Sequence, residues 1–187
     1  MRFSTIAPVA LAALASAAPT GTLNARSYDG GDKCIPYDVA IGIETAWIST
    51  LTNFDLATAQ NLLYPGLVDN SASIQLLAGG DLNAPIFTSA QAYEGGQGSL
   101  PPIGFTVLDL ASITCDGVIS LRWVADVGTK ALPVHGITIL KSIQVGTDEA
   151  VGPNGWQLKE INTEFNSAAW LADIGGSYTL PPPPTTS

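Results

Sequence analysis

The sequence predicts an α+β domain in which helices come first and pack on one face of a curved, mainly antiparallel mixed sheet. Three observations carry this. Helical spacing is concentrated between residues 38 and 64. Long runs rich in β-branched and aromatic residues, joined by hairpin dipeptides, fill residues 103 to 166. The regular strand–helix–strand alternation of a nucleotide-binding fold is missing.

The first element is CIPYDVAIGIETAWISTLTNF. Asp38 stands where an N-cap belongs, and Ala40, Ile43, Trp47 and Leu51 follow at helical spacing. A second, shorter helix starts at Asp55 in DLATAQNLLY and stops at Pro65-Gly66. DNSASIQLLAGG then alternates, with Ala72, Ile74, Leu76 and Ala78 on one side and Ser71, Ser73 and Gln75 on the other. That pattern predicts a strand ended by Gly79-Gly80. In FTSAQAYEGG, Thr88 and Gln91 form a capping box for a short third helix, broken by Gly95, Gly96, Gly98 and Pro101-Pro102.

The rest reads as sheet. IGFTVLDLASIT and VISLRWVADVG meet at Asp116-Gly117, a hairpin signal, and LPVHGITILKSIQV is a further strand. Asn154-Gly155 turns the chain into the closing strand, WQLKEINTEFNS. This strand carries Glu160, Asn162, Glu164 and Asn166 at every second position, so the four share one face. DIGGSYTLPPPPTTS reads as a cover segment and a polyproline tail.

The flanks point to export. MRFSTIAPVALAALASAAPT places Arg2 before an apolar run from Ile6 to Ala15 and then small residues. This predicts a secretory signal peptide over residues 1–18, too short to span a membrane. Residues 19–33 read as a flexible leader, and 34–175 as one domain followed by a Pro-rich tail over 176–187. Without Arg2 the chain holds six Lys or Arg against sixteen Asp or Glu. Phosphate backbones and anionic lipid would repel it, so neither nucleic acid nor membrane is an expected partner. In an oxidising compartment the two cysteines, Cys34 and Cys115, are most simply a disulfide; two buried thiols are the alternative.

The element order, with Trp47 in the first helix, a glycine in Val134-His135-Gly136 and a closing Gly155-Trp156-x-Leu158 strand, resembles the NTF2-like superfamily. Within it, the chain is similar to the secreted fungal NTF2-like (SnoaL-like) domain proteins, whose last strand reads much as EFNSAAWL does here. The resemblance covers about residues 34 to 175. It implies a cone, in which a strongly bent sheet wraps three N-terminal helices and leaves a cavity at its wide end. It also implies two kinds of member: proteins that bind or dimerise, and cofactor-independent isomerases, cyclases and dehydratases that move a proton with an Asp or His projecting into the cone.

One histidine, His135, and no Gly-x-Ser-x-Gly leave little room for a Ser-His-Asp hydrolase, and the same scarcity gives no expected metal site or cofactor. The carboxylates and imidazole to weigh are Asp69, Asp109, Asp126, His135, Glu160 and Glu164. His135 alternates with Ile137, Ile139 and Ile143 and so shares an apolar face, which makes it the first candidate for proton handling. Asp126 and Glu164 follow it. Glu164 and Asn166 have a second reading, as caps of the turn into Ala-Ala-Trp-Leu. Trp47, Tyr93, Trp123 and Trp170 are the candidate aromatic walls, the first three as ligand contacts. Three functions stay open: binding a small hydrophobic molecule without catalysis, general acid–base catalysis, and dimerisation at a cell surface through the outer sheet face.

Overall fold

The computed structural model describes residues 34–146 and 151–179. The segments read as signal peptide and leader, and most of the Pro-rich tail, lie outside the described residues. Helices α1 (Tyr37–Thr52) and α2 (Leu56–Leu62) lead into strand β1 (Leu63–Asn70), helix α3 (Ala72–Ala78) and helix α4 (Ala90–Gln97). Strands β2 (Gly104–Ile113), β3 (Val118–Asp126), β4 (Val134–Gln144) and β5 (Trp156–Phe165) follow, and helix α5 (Ser167–Asp173) ends the order. The sheet runs β1-β5-β4-β3-β2; β1 lies parallel to β5 and the other pairs are antiparallel. Four helices therefore precede the main sheet, one more than the sequence suggests, and the cover segment after β5 is itself a helix.

Helix α1 buries Val39, Ala40, Ile43 and Trp47 along one stripe. Its N-cap is Pro36, with no side-chain cap; Asp38 lies instead in the first turn, where a negative charge suits the helix dipole. Asp55 caps α2 by accepting from the Thr58 amide at 2.8 Å. Ser89, rather than Thr88, caps α4 by accepting from the Ala92 amide.

The largest departure from the sequence reading is at residues 63–78. The strand is Leu63–Asn70, running through Pro65-Gly66, and the segment expected to be a strand is α3. β1 is an edge strand, and its pairing with β5 breaks between Leu63 and Val68, so Pro65 has no ladder bond to forfeit. In α3 the alternation is coincidental: Leu76, which it placed with the apolar set, is 59% exposed. Ser71 accepts from the Ile74 amide, and Gly79 ends the helix at φ 69°. Strand β5 contributes from across the sheet. The Glu164 carboxylate accepts from the amides of Ala72 (2.7 Å) and Ser73 (2.9 Å), and also from the Ser73 hydroxyl. A distant carboxylate thus holds the first turn of α3, a contact that no local pattern reveals.

The inner face of the sheet supplies Ile119, Leu121, Leu140, Leu158 and Ile161, which close on Ala40, Ile43, Leu62 and Leu67. Cys34 and Cys115 form the expected disulfide, joining the start of α1 to the β2–β3 turn, beside an Ile35 amide bond to the Cys115 carbonyl. At the other end Asn166 caps α5 through the Ala169 amide. Asp173 accepts from the amides of Ala131 and Leu132, clamping α5 to the β3–β4 connection.

Replacing Glu164 with Ala removes two amide partners at the start of α3 and should cost about 1–2 kcal/mol in urea unfolding. Glu164→Gln should lose less, because a carboxamide oxygen still accepts.

Candidate functional site

The bent sheet and helices α1, α3 and α4 enclose a cavity of about 720 Å³. Its walls are mainly apolar and aromatic, including Trp47, Phe87, Phe105, Trp123, Phe165 and Trp170. Five of these rings, from α1, β2, β3, β5 and α5, form a continuous series. Trp47 meets Phe105 edge-on at 5.6 Å, Phe105 meets Trp123 at 4.9 Å, Trp123 meets Phe165 at 6.1 Å, and Phe165 meets Trp170 at 4.7 Å.

Among the described residues, Asp69 is the buried carboxylate that faces this apolar space. Asp69 lies beside Ile161 in the β1–β5 pairing, and on the other side its backbone N–H donates to the Phe87 carbonyl while its carbonyl accepts from the Ile86 N–H. Its side chain lines the cavity and is 6% exposed, and Oδ1 is buried with no hydrogen-bond partner. Burial in these surroundings pushes the Asp69 carboxyl up to about 7. The group therefore carries a proton across the lower physiological range and can give it up near neutrality.

Tyr93, also on the wall, is not available to help. The Thr50 hydroxyl donates to the Trp47 carbonyl at 2.7 Å, so at 2.7 Å from Tyr93 it can only accept; the phenol donates to it. Burial first, opposed by that bond and reinforced by the Asp69 charge, holds the phenol protonated well above the usual range. A second hydroxyl chain crosses the floor: the Trp123 indole donates to Thr138 at 2.9 Å, and Thr138 shares a 3.0 Å bond with Thr163, which lines the cavity.

The remaining candidates separate by face. Trp47, Tyr93, Trp123 and Trp170 line the cavity. His135 does not: it is exposed on the outer face of β4, in line with Val124 of β3, and its companions Ile137 and Ile139 are 54% and 37% exposed. The apolar face that suggested a buried imidazole is the outside of the cone. The inside of β4 is Val134, Gly136, Thr138, Leu140 and Ser142. Asp126 is exposed on the cavity's rim. Asp109 is exposed on the outer face in line with Arg122. Glu160 pairs there with Lys141 at 2.7 Å, a bond that lowers its carboxyl below the usual range. Glu164, as described, caps α3. Asp69 is thus a group that the sequence reading weighed but ranked below His135, Asp126 and Glu164. Its signal was a carboxylate next to the apolar Leu67-Val68 pair, hidden because the segment after it was read as the strand.

Among the described residues no group of three or more His, Cys, Asp or Glu is arranged to hold a metal ion, and no helix is long and apolar enough to cross a membrane.

The Asp69 environment has a measurable consequence. Its folded value lies above the unfolded one, so its contribution to stability is present at low pH and is lost as pH rises through about 7. Asp69→Asn should therefore be more stable than the wild type by a margin that grows between about pH 4 and pH 7 and levels off above. Urea unfolding across that range checks it; a flat difference would place the carboxylate in water.

A family model of the NTF2-like domain matches residues 33–177. Curated proteins provide no match. Among solved structures, a protein of ketosteroid isomerase-like fold from Catenulispora acidiphila, crystallised with trimethylamine, aligns with a TM-score of 0.52 at 15% identity, over 74% of this chain and 97% of that one. IdmH of Streptomyces antibioticus, a candidate polyketide cyclase, aligns with a TM-score of 0.49 at 19% identity, over 74% and 96%. An NTF2-like protein of unknown function from Pseudomonas putida aligns with a TM-score of 0.48 at 12% identity, over 65% and 80%. The matched span takes in every element from α1 to α5, the sheet order and the cavity they enclose, and the chain belongs to the NTF2-like family.

Proposed function

We propose that this chain is a secreted protein that binds a small, mainly apolar molecule inside the cone. The observation that carries it is the cavity itself: about 720 Å³, walled by aromatic rings and open at a rim formed partly by Asp126 and Lys130. That volume falls within the range of small-molecule sites. The N-terminal segment and the Cys34–Cys115 disulfide support export. Ile74 of α3 lines the cavity and is only half-buried, so a larger side chain there can fill the space without disturbing the core. A neutral solvatochromic dye such as Nile red should bind saturably to the wild type, while Ile74→Trp should bind it at least tenfold more weakly at unchanged melting temperature. Absence of saturable binding to the wild type would sink the proposal.

Asp69 favours a second reading, general acid–base catalysis of the isomerase, cyclase or dehydratase kind. A buried carboxylate in a mainly apolar cavity, with a free oxygen and a value near 7, suits proton removal from a carbon acid. The base form is the ionised one, so activity should rise with pH through about 7. Proton-to-deuteron exchange next to the carbonyl of an apolar ketone, followed by NMR in D₂O, should be accelerated by the wild type and not by Asp69→Asn. Exchange at the uncatalysed rate would remove catalysis while leaving ligand binding intact.

A further inference from the structure

The cavity joins two features that both favour positive charge. Asp69 and Phe87 exchange backbone bonds as an antiparallel bridge, so their side chains stand next to each other in the cavity wall, with Cβ atoms about 5 Å apart. The Phe87 ring meets Tyr93 edge-on at 5.6 Å, and Tyr93 in turn feels the Asp69 charge. The five-ring series from Trp47 to Trp170 lines the same space. Ring faces carry the negative side of the aromatic quadrupole and attract cations. An ionised carboxylate does the same, and Asp69 Oδ1 is buried with no partner. The formal net charge of −9 on the chain favours the approach of a cation from solution.

The surroundings narrow the kind of cation. A bare metal ion needs several oxygen or nitrogen donors, and among the described residues no group of three or more His, Cys, Asp or Glu is placed to supply them. The walls are mainly apolar and enclose about 720 Å³, so the charge must belong to a largely hydrocarbon body. The Tyr93 phenol is committed to Thr50, which leaves Oδ1 as the open acceptor beside the rings. One N–H matches one open acceptor, whereas the three of a primary ammonium would leave donors unpaired. A cation and a carboxylate are each costly in an apolar space alone, and each becomes tolerable when it meets the other.

We infer that the cavity binds a tertiary alkylammonium ion, with its hydrocarbon groups against the aromatic walls and its N–H donating to Asp69 Oδ1. This rests on the proposed ligand-binding role of the cavity, and it names a ligand class and an anchor for it. Asp69 then acts as a fixed counter-ion.

The counter-ion must be ionised to serve, and the Asp69 carboxyl gives up its proton near pH 7. Affinity for the cation should therefore rise with pH through that value. The other ionisable groups that line the cavity are Tyr93, held protonated by burial, and Asp126 and Lys130, both exposed on the rim. Glu44 of α1, Glu94 of α4 and Lys159, Glu160 and Glu164 of β5 do not line it.

The test is calorimetric titration with dimethyl(3-phenylpropyl)amine, which is protonated throughout the range used, and Nile red serves as the neutral reference ligand. The wild type should bind the amine at least about tenfold more tightly at about pH 8 than at about pH 5.5, because the competent, ionised form is then the major one. At about pH 6, titrations in buffers of different ionisation enthalpy should show close to one proton released per amine bound. Asp69→Asn should bind the amine at least about tenfold more weakly than the wild type at pH 8, with no change down to pH 5.5. Equal wild-type affinity at the two pH values, or wild-type affinity in Asp69→Asn, would overturn the inference. Should Asp69→Asn fail to fold, the proton count on the wild type decides: none released overturns it. Saturable binding of Nile red without binding of the amine overturns the inference and leaves the binding role standing. Failure of both to bind overturns the two together.

Discussion

The cavity depends on one contact, the Trp123 indole laid across Gly136. The two residues are directly paired between β3 and β4, and a Cβ at position 136 would stand 2.2 Å from the indole ring. Only glycine allows the ring to lie flat on the neighbouring strand. Two results follow from that placement. The ring bridges Phe105 and Phe165, completing the aromatic series from α1 to α5. Its N–H also lands on Thr138, two residues beyond Gly136, where it starts the hydroxyl chain. Any larger residue at 136 would lift the indole, open the wall and leave Thr138 without its donor.

Against that closed wall, Asp69 is the costly element. A carboxylate in an apolar space is destabilising unless it keeps its proton, which is why its value rises toward neutrality. The fold holds it in place with backbone bonds on both sides and offers its Oδ1 nothing. Tyr93, the one phenol on the wall, is committed to Thr50. A buried acceptor whose neighbours are all engaged elsewhere is a poor stabilising feature and a good place for a ligand group. Asp173 makes the contrast. Its Oδ2 is likewise buried without a partner, but two amides of the β3–β4 connection occupy its Oδ1, which commits the side chain to a structural clamp.

Much of the architecture was legible because its signals are local. Asp116-Gly117 and Asn154-Gly155 mark their turns, Asp55 caps its helix, and Trp47 lies on the buried stripe of α1. The errors arose where distant groups decide. A period of two in Ala72–Ala78 is genuine as a pattern, but Glu164 and Ser71 supply helix caps that the pattern does not contain. On β4 both faces are rich in apolar or small residues, so periodicity gave two faces without saying which is inside. Ile137 and Ile139 pulled His135 inward on paper, whereas Gly136 and Thr138, smaller and less apolar, form the true inner face under Trp123. The hydroxyl chain was illegible for the same reason: Trp123, Thr138 and Thr163 come from three strands, and only register brings them together.

Strand β5 shows how register joins fold and site. Its outer residues are polar and almost all engaged in bracing: Glu160 holds Lys141, Asn162 bonds Asn70 and Glu160, and Glu164 caps α3. Asn166, just beyond the strand, caps α5. Its inner residues, Ile161, Thr163 and Phe165, line the cavity. A slip of one residue would exchange the two sets, burying the carboxylates and exposing the floor. The alternating carboxylates and carboxamides are therefore a register lock as well as a solvent face. Because Glu164 holds the first turn of α3, and α3 in turn lines the cavity with Ile74 and Leu77, the outer row helps set the shape of a site it never touches. The chemistry belongs to the residues between them.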